Sequence, residues 1–505
     1  MREPTTEQGR AIAAIRRGAP MLVRALAGTG KTTTIQAAIE QDGARSPRTL
    51  YTAFGARNIR EARTKLPRRV AVRTTHSLAW TVGMEYERRG RLGKGFPFRA
   101  LADHLVWPAG GIAGVLRRDA VRMVAAGLGR FMQSADLELE RRHFRDVPDA
   151  ALEGMLRTAQ RVWRDWEDLH GTLPIVHDAY LKLWALREPR LPFDRIFLDE
   201  AQDTNPVVLG VLKRQSHAQI VAVGDPHQAI YAYRGAVDAM SAFAAGDTYA
   251  LSQSWRFGEA IAGAGNAALQ NACQSSDRLW GRSDVSDRLT RITETPTALI
   301  ARTNLTLLAE ALHAEQAGFS TALAGGAEDL ADLLEDMQAL AQGRPAFRSE
   351  LASVESWEQL MTARDLPQGA RPLRRLLEAQ DFEAVTTTIR RMTSRLPHEA
   401  DLVLCTAHRS KGLEFDQVIL ANDFPVAADG KAPVGGQEAN LLYVAMTRAR
   451  RHLDLQRCEA ARRVLDWAPV SRAPRVEAQP GPGQNERTFR RHSTGRRFVQ
   501  VTHLA

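Results

Sequence analysis

Ala25-Leu26-Ala27-Gly28-Thr29-Gly30-Lys31-Thr32 constrains the fold more than any other segment. An apolar run, Met21 to Leu26, passes there through a glycine-rich turn straight into the helix-like stretch Thr32 to Glu40. A buried strand followed at once by a helix returns the chain across a sheet, so the next strand pairs parallel to the first. Seven more short apolar runs read as buried strands: Thr49 to Phe54, Val70 to Thr74, Asp194 to Leu198, Gln219 to Val223, Thr297 to Ala301, Leu402 to Thr406 and Gln417 to Leu420. Helical stretches such as Arg57 to Leu66 lie between them. The expected class is α/β, with parallel sheets covered by helices on both faces.

Two stretches break the alternation. Residues 86–185 lack clear strands and read as helical, as in Ala151 to His170, and residues 326–398 are helical again, with leucine periodicity over Asp329 to Leu340. The strand runs fall into groups before and after about Gly258. The expected organisation is a first α/β domain, 1–85 with 186–258, carrying the insertion 86–185. A second, 259–325 with 399–462, carries the insertion 326–398. Residues 463–505 are expected to be a basic, disordered tail, since Ser471 to Ala505 holds seven arginines, two glutamates and three prolines with almost no apolar periodicity.

Apolar residues at 44% and charged residues at 25% fit a packed globular chain of 505 residues. The 68 basic and 58 acidic residues leave +10, and only seven of the 68 are lysine. That excess fits polyanion contact and an arginine-favouring composition equally well. Cys273, Cys405 and Cys458 are widely spaced and form neither a disulfide framework nor a zinc signature. With no run of about 18 apolar residues, no membrane span is expected, and the cytoplasm is the expected compartment.

In the segment from Ala25, the glycines let backbone N–H groups approach a phosphate, and the following helix adds partial positive charge at its start. Lys31 is spaced to reach β- and γ-phosphates, and the Thr32 hydroxyl to ligate Mg²⁺. A second pattern complements it. Phe193-Asp194-Arg195-Ile196-Phe197-Leu198-Asp199-Glu200-Ala201-Gln202-Asp203 is a strand ending in adjacent acids. Asp199 suits a metal held through water, and Glu200 suits orienting or deprotonating an attacking water.

Asp199-Glu200-Ala201-Gln202-Asp203 resembles the Walker B box of superfamily 1 helicases of the UvrD/Rep type. Gly224-Asp225-Pro226-His227-Gln228, running on to Tyr233-Arg234-Gly235-Ala236, resembles motif III of that family, and Gln253-Ser254-Trp255-Arg256-Phe257 motif IV. Thr406-Ala407-His408-Arg409-Ser410-Lys411-Gly412-Leu413-Glu414-Phe415 resembles motif V, and Leu442-Tyr443-Val444-Ala445-Met446-Thr447-Arg448-Ala449 motif VI. The motifs stand in family order over about nine-tenths of the chain. Tyr51-Thr52-Ala53-Phe54 and Thr74-Thr75-His76-Ser77 lean toward the F-box DNA helicase branch, although no F-box-like segment precedes them in this sequence.

The resemblance implies two RecA-like domains, ATP and Mg²⁺ as cofactors, and single-stranded DNA with its duplex junctions as partner. It implies 3′-to-5′ movement coupled to strand separation in repair, recombination or replication. It assigns Gln8 and Trp255 to the adenine, Glu414 to the ribose, and Ala27, Gly28, Thr29, Gly30, Lys31, Thr32 and Thr33 to the phosphates. Gln228 becomes a γ-phosphate sensor, and Arg256 and Arg448 the arginines directed at that phosphate. Phe54, His76, Tyr233, Thr406 and His408 match positions lining the single-strand channel. Two departures stand out: Phe54 is followed by Gly55 where the family places asparagine, and 326–398 is shorter than the family's usual second insertion. The alternative is a DNA-stimulated translocase with weak unwinding that strips proteins from DNA or serves a partner nuclease. Deleting residues 471–505 is expected to weaken DNA affinity and flatten its salt dependence, because net +5 leaves with them. A salt titration with unchanged slope would make the tail plain solvated chain.

Overall fold

The computed structural model describes residues 3–43, 47–53, 55–93, 95–98, 100–101, 113–115, 117–231, 239–243, 246–344, 346, 349–362, 371–427 and 434–466. Within them no helix is long and apolar enough to cross a membrane. The first sheet comprises β1 (Met21–Ala25), β2 (Thr49–Ala53), β3 (Ala71–Thr74), β4 (Arg195–Asp199), β5 (Gln219–Gly224) and β6 (Asp247–Leu251) in the order β3-β2-β4-β5-β1-β6, all parallel. Side chains alternate across it. Leu22, Leu50, Ile196, Leu198, Ile220 and Ala222 join one core, while Val23, Tyr51, Phe197, Val221 and Val223 join another on the opposite face. Covering on both faces is why these strands read as unbroken apolar runs. β6 is an edge strand and mostly exposed until Leu251, so the sequence carries no such run there.

A short pair, β7 (Gln253–Gly258) with β8 (Trp280–Arg282), leads to the second sheet. This contains β9 (Thr297–Ala301), β10 (Thr321–Leu323), β11 (Leu402–Thr406), β12 (Phe415–Leu420) and β13 (Ala449–Asp454) in the order β10-β11-β9-β12-β13, again all parallel. Ala298, Ile300, Val403, Cys405, Val418 and Leu420 face one core; Leu299, Ala301 and Leu404 face the other. β13 carries no apolar run that would mark it in the sequence, because Arg450 and Arg451 lie exposed in its middle.

Helices fill the two interruptions. Between β3 and β4, Arg117–Gln133, Asp149–Glu167 and His177–Leu186 bury Val124, Met155, Trp166 and Leu181 in the same cluster as the Leu22 face of the first sheet. The insertion therefore shares a core with the sheet instead of building its own. Between β10 and β11, Ala327–Ala341 presents Leu330, Leu333, Met337 and Leu340, the three- and four-residue spacing of one helical face, to Leu299 and Leu404. At the end of the second half the expected tail boundary at 463 is corrected. Arg463 to Asp466 complete the helix Glu459–Asp466, whose Val464 is fully buried, so a packed face extends further than the arginine content suggested. Residues 467–505 lie outside the described residues.

Lys182 is buried within the first insertion, where its ammonium donates to the carbonyls of Ser134 (2.8 Å) and Asp136 (2.5 Å) and stands 4.4 Å from the Phe131 ring centroid. Burial pushes its pKa down to about 8, against 10.5 ordinarily. Between those values the unfolded chain binds a proton that the native one does not, so this group adds stability as pH rises from about 8 to about 10.5. In Lys182→Met that increment, roughly 3 kcal/mol at most, is expected to vanish from urea denaturation measured across the same pH range.

Candidate functional site

Because every strand of the first sheet runs the same way, the carboxyl ends of β1, β4 and β5 open on one edge, where α/β sheets hold ligands. After β1 the chain turns through Leu26 to Gly30, with the Thr29 hydroxyl donating to the Leu26 carbonyl (2.8 Å), and enters the helix Lys31–Gln41. Gly28 (φ +73°) and Gly30 (φ +83°) are both left-handed, and a Cβ on Gly28 would stand 2.5 Å from Ser254 Oγ. The helix Thr6–Arg17 braces this loop. Thr5 and Gln8 form its capping box, and Gln8 Nε2 also donates to the Thr29 carbonyl (3.2 Å). The Trp255 N–H donates to the Gly28 carbonyl (2.8 Å), which sets its indole beside Gly30.

At the end of β4, Asp199 is buried and accepts the Tyr51 hydroxyl at 2.5 Å. Glu200 adopts φ +52°, a left-handed conformation costing a non-glycine residue about 1–2 kcal/mol, and its Oε1 stands 3.5 Å from Lys31 Nζ. Strain of this kind gathers at functional sites. Its other oxygen accepts Gln202 Nε2 (2.5 Å), and Gln202 Oε1 accepts the Asp225 N–H (3.1 Å). Burial and the charge of Glu200 push the Asp199 pKa up. Burial would raise Glu200 too, but Lys31 and Lys411 outweigh it and hold Glu200 ionised. Lys31 is pulled down by burial and, more strongly in sum, raised by Glu200, Asp225 and Asp199, so it stays charged.

The second half faces this edge across a cleft of about 220 Å³. The cleft gathers Gly28, Thr29, Gly30, Lys31, Thr32, Thr33, Asp199, Glu200, Gln228, Arg256, Glu414 and Arg448 from the expected set. Gln8 and Trp255 adjoin it through the loop. Ala27 does not line it: this residue is fully buried, and its N–H is taken by the Tyr443 hydroxyl (3.2 Å). Arg256 Nε and Nη2 hold Glu414 Oε1 at 2.9 and 2.8 Å, and Nη1 donates to the Thr447 carbonyl (2.7 Å). Arg448 is buried, and its hydrogen bonds go to neutral acceptors: the carbonyls of Val444 and Leu413 and the Thr447 hydroxyl. Burial and then Arg256 push its pKa down, yet a guanidinium stays charged in proteins. A site with a buried guanidinium, an ammonium and a glycine cradle fits an anion of phosphate type. Thr32 and Asp199 supply the hard oxygens that suit Mg²⁺.

The residues expected to touch DNA divide. Thr406 caps the helix Ala407–Ser410, its hydroxyl accepting the Arg409 N–H (3.3 Å). With His408 and Tyr231 it lines a groove of about 670 Å³ at the carboxyl edge of the second sheet. Two arginines of that groove are held by acids, Arg302 by Glu438 (2.8 Å) and Arg409 by Asp329 (2.7 Å). His76 stands apart from the groove lining, hydrogen-bonded to Asp178 (3.0 Å) and edge-on to His177 and Tyr180. Phe54 and Tyr233 lie outside the described residues.

Sequence reasoning passed over several residues that hold the site. Tyr51 on β2 reaches Asp199 only because β2 pairs with β4. Lys411 joins the two halves: its ammonium donates to Asp203 Oδ2 (2.5 Å) and to the Gln228 carbonyl (2.6 Å), with both side chains under a tenth exposed. Burial raises Asp203 to about 6 against the pull of Lys411. The one signal for it was a lysine, rare in this chain, inside the motif V resemblance. Truncating one partner of a buried pair strands the other charge, so Lys411→Ala is expected to lose about 3–5 kcal/mol in urea denaturation, and Asp203→Asn to restore part of it.

Comparisons with known proteins agree with this layout. Residues 8–234 match the AAA domain family and residues 347–460 the UvrD-like helicase C-terminal domain. Over 495 residues the chain is 29% identical to F-box DNA helicase 1 of Gallus gallus, covering 87% of this chain and 47% of that protein. Over 491 residues it is 28% identical to F-box DNA helicase protein 1 of Schizosaccharomyces pombe, covering 87% and 55%. The chain thus spans about half the length of these curated relatives, at 47% and 55%. The glycine loop falls in the first matched region and Arg448 in the second, so an AAA domain and a UvrD-like helicase C-terminal domain meet at the cleft, consistent with the resemblance to UvrD-like helicases of superfamily 1.

Proposed function

We propose that the chain hydrolyses ATP in the cleft between its two sheets and moves 3′-to-5′ along single-stranded DNA, separating strands at duplex junctions during repair, recombination or replication. The observation that carries this reading is a phosphate cradle on one sheet facing Arg448 from the other half, with Arg256 on the linking strand β7, across about 220 Å³. A site split between two bodies ties their separation to what occupies it.

Lys31 and the loop amides bind the phosphates. Mg²⁺, held by Thr32 and Asp199, would neutralise charge on them. Glu200 orients the attacking water. Its low pKa rests on Lys31, so a phosphate that draws the ammonium away moves Glu200 toward the range in which it accepts a proton. Arg256 exchanges Glu414 for phosphate, which frees that carboxylate for the ribose, while Gln8 and Trp255 are positioned for the adenine. Arg448, buried among neutral acceptors, meets the charge that builds on the transferred group. Single-stranded DNA follows the groove of Thr406 and His408, with His76 on a separate surface, and Phe54 and Tyr233 as further contacts.

The short interval 326–398 favours a second reading: translocation with weak unwinding, used to displace proteins or to serve a nuclease. ATP hydrolysis is expected to rise strongly with single-stranded DNA, to collapse in Lys31→Ala and Glu200→Gln, and to fall about 10³–10⁵-fold in Arg448→Ala. Equal rates with and without DNA would overturn the motor reading. Unwinding of 3′-tailed but not 5′-tailed duplexes is expected for the helicase; DNA-stimulated hydrolysis with neither unwound selects the translocase.

A further inference from the structure

We infer that Tyr443 is a positioning residue whose hydroxyl ties the helix leading into Arg448 to the phosphate loop and to Gln228. The inference rests on the hydrolysis proposed above. Tyr443 lies on the helix Gly436–Met446 of the second half and is fully buried. Its oxygen accepts the Ala27 N–H at 3.2 Å and donates to Asp225 Oδ2 at 3.4 Å. Both partners belong to the first half, at the ends of β1 and β5. The same Asp225 oxygen accepts Gln228 Nε2 (2.7 Å), and the Asp225 N–H reaches Glu200 through Gln202.

On its own helix Tyr443 continues toward both arginines. Its carbonyl accepts the Thr447 hydroxyl (2.9 Å), Arg448 Nη2 donates to that hydroxyl (3.1 Å), and Arg256 Nη1 donates to the Thr447 carbonyl (2.7 Å). One side chain therefore stands where the loop, the Gln228 turn and the arginine pair meet. Plain packing does not account for it. Phenylalanine would fill the same space, with the ring edge-on to His227 (6.1 Å between centroids), whereas a buried hydroxyl is unfavourable unless its partners are in place. Burial and the nearby Asp225 raise the phenol well above its ordinary pKa, so it remains a donor and acceptor at every working pH.

Loss of the hydroxyl leaves the Ala27 N–H without its acceptor and removes the link between halves while keeping the ring. In Tyr443→Phe, kcat with saturating single-stranded DNA is expected to fall roughly tenfold or more, while KM for ATP stays within about threefold. The cradle that binds ATP is intact, and what is lost is the register of Arg448. In an Arg448→Lys background the same substitution is expected to change kcat less than about twofold, because the two groups act as one unit. Thermal denaturation of each variant confirms that folded protein is compared. A kcat within twofold of wild type in Tyr443→Phe would overturn the inference, and so would a loss of kcat matched by an equal rise in KM. A wild type lacking DNA-stimulated hydrolysis would instead sink the proposed function, so the two failures are distinguishable.

Discussion

Parallel pairing is the constraint on which the rest depends. Each sheet has one carboxyl edge, and every turn that leaves a strand there can contribute to a common site. The glycine loop after β1, Asp199 and Glu200 at the end of β4 and Asp225 after β5 converge for that reason, although about 200 residues separate the first from the last. The same rule in the second sheet brings Thr406 and His408 to the groove beside Tyr231.

Charge then fixes how the halves meet. Lys31, Asp199, Glu200, Asp203 and Lys411 are all withdrawn from water, and none is tolerable alone. They persist because each sees opposite charge, and Lys411 supplies it from the opposite half. Arg448 differs: it is buried among neutral oxygens, so a phosphate would be its natural counter-charge. Arg256 is satisfied differently, by its ion pair with Glu414 at the cleft.

Much of this layout is legible in the order of residues along the chain. The strands buried on both faces declare themselves as apolar runs, whereas β6 at a sheet edge and β13 with Arg450 and Arg451 in its middle do not. Lys31, Thr32, Asp199, Glu200, Gln228, Arg256 and Arg448, which the motifs single out, line one cleft because loops at strand ends have few ways to fold. Motif spacing does not reveal that the Ala27 amide turns away to Tyr443, nor that His76 turns to Asp178. Those outcomes depend on partners that are 416 and 102 residues away along the chain.

By itself the sequence determined the α/β class, the resemblance to UvrD-like helicases and which loop residues would gather at one strand edge, since these follow from local periodicity and from short motifs whose geometry is set within a few residues. Tertiary structure alone decided which charges pair across the cleft, that the first insertion shares its core with a sheet face, and that Tyr443 and Lys411 join the halves. Such contacts arise from strand order and from burial, and neither is written in the spacing of residues along the chain.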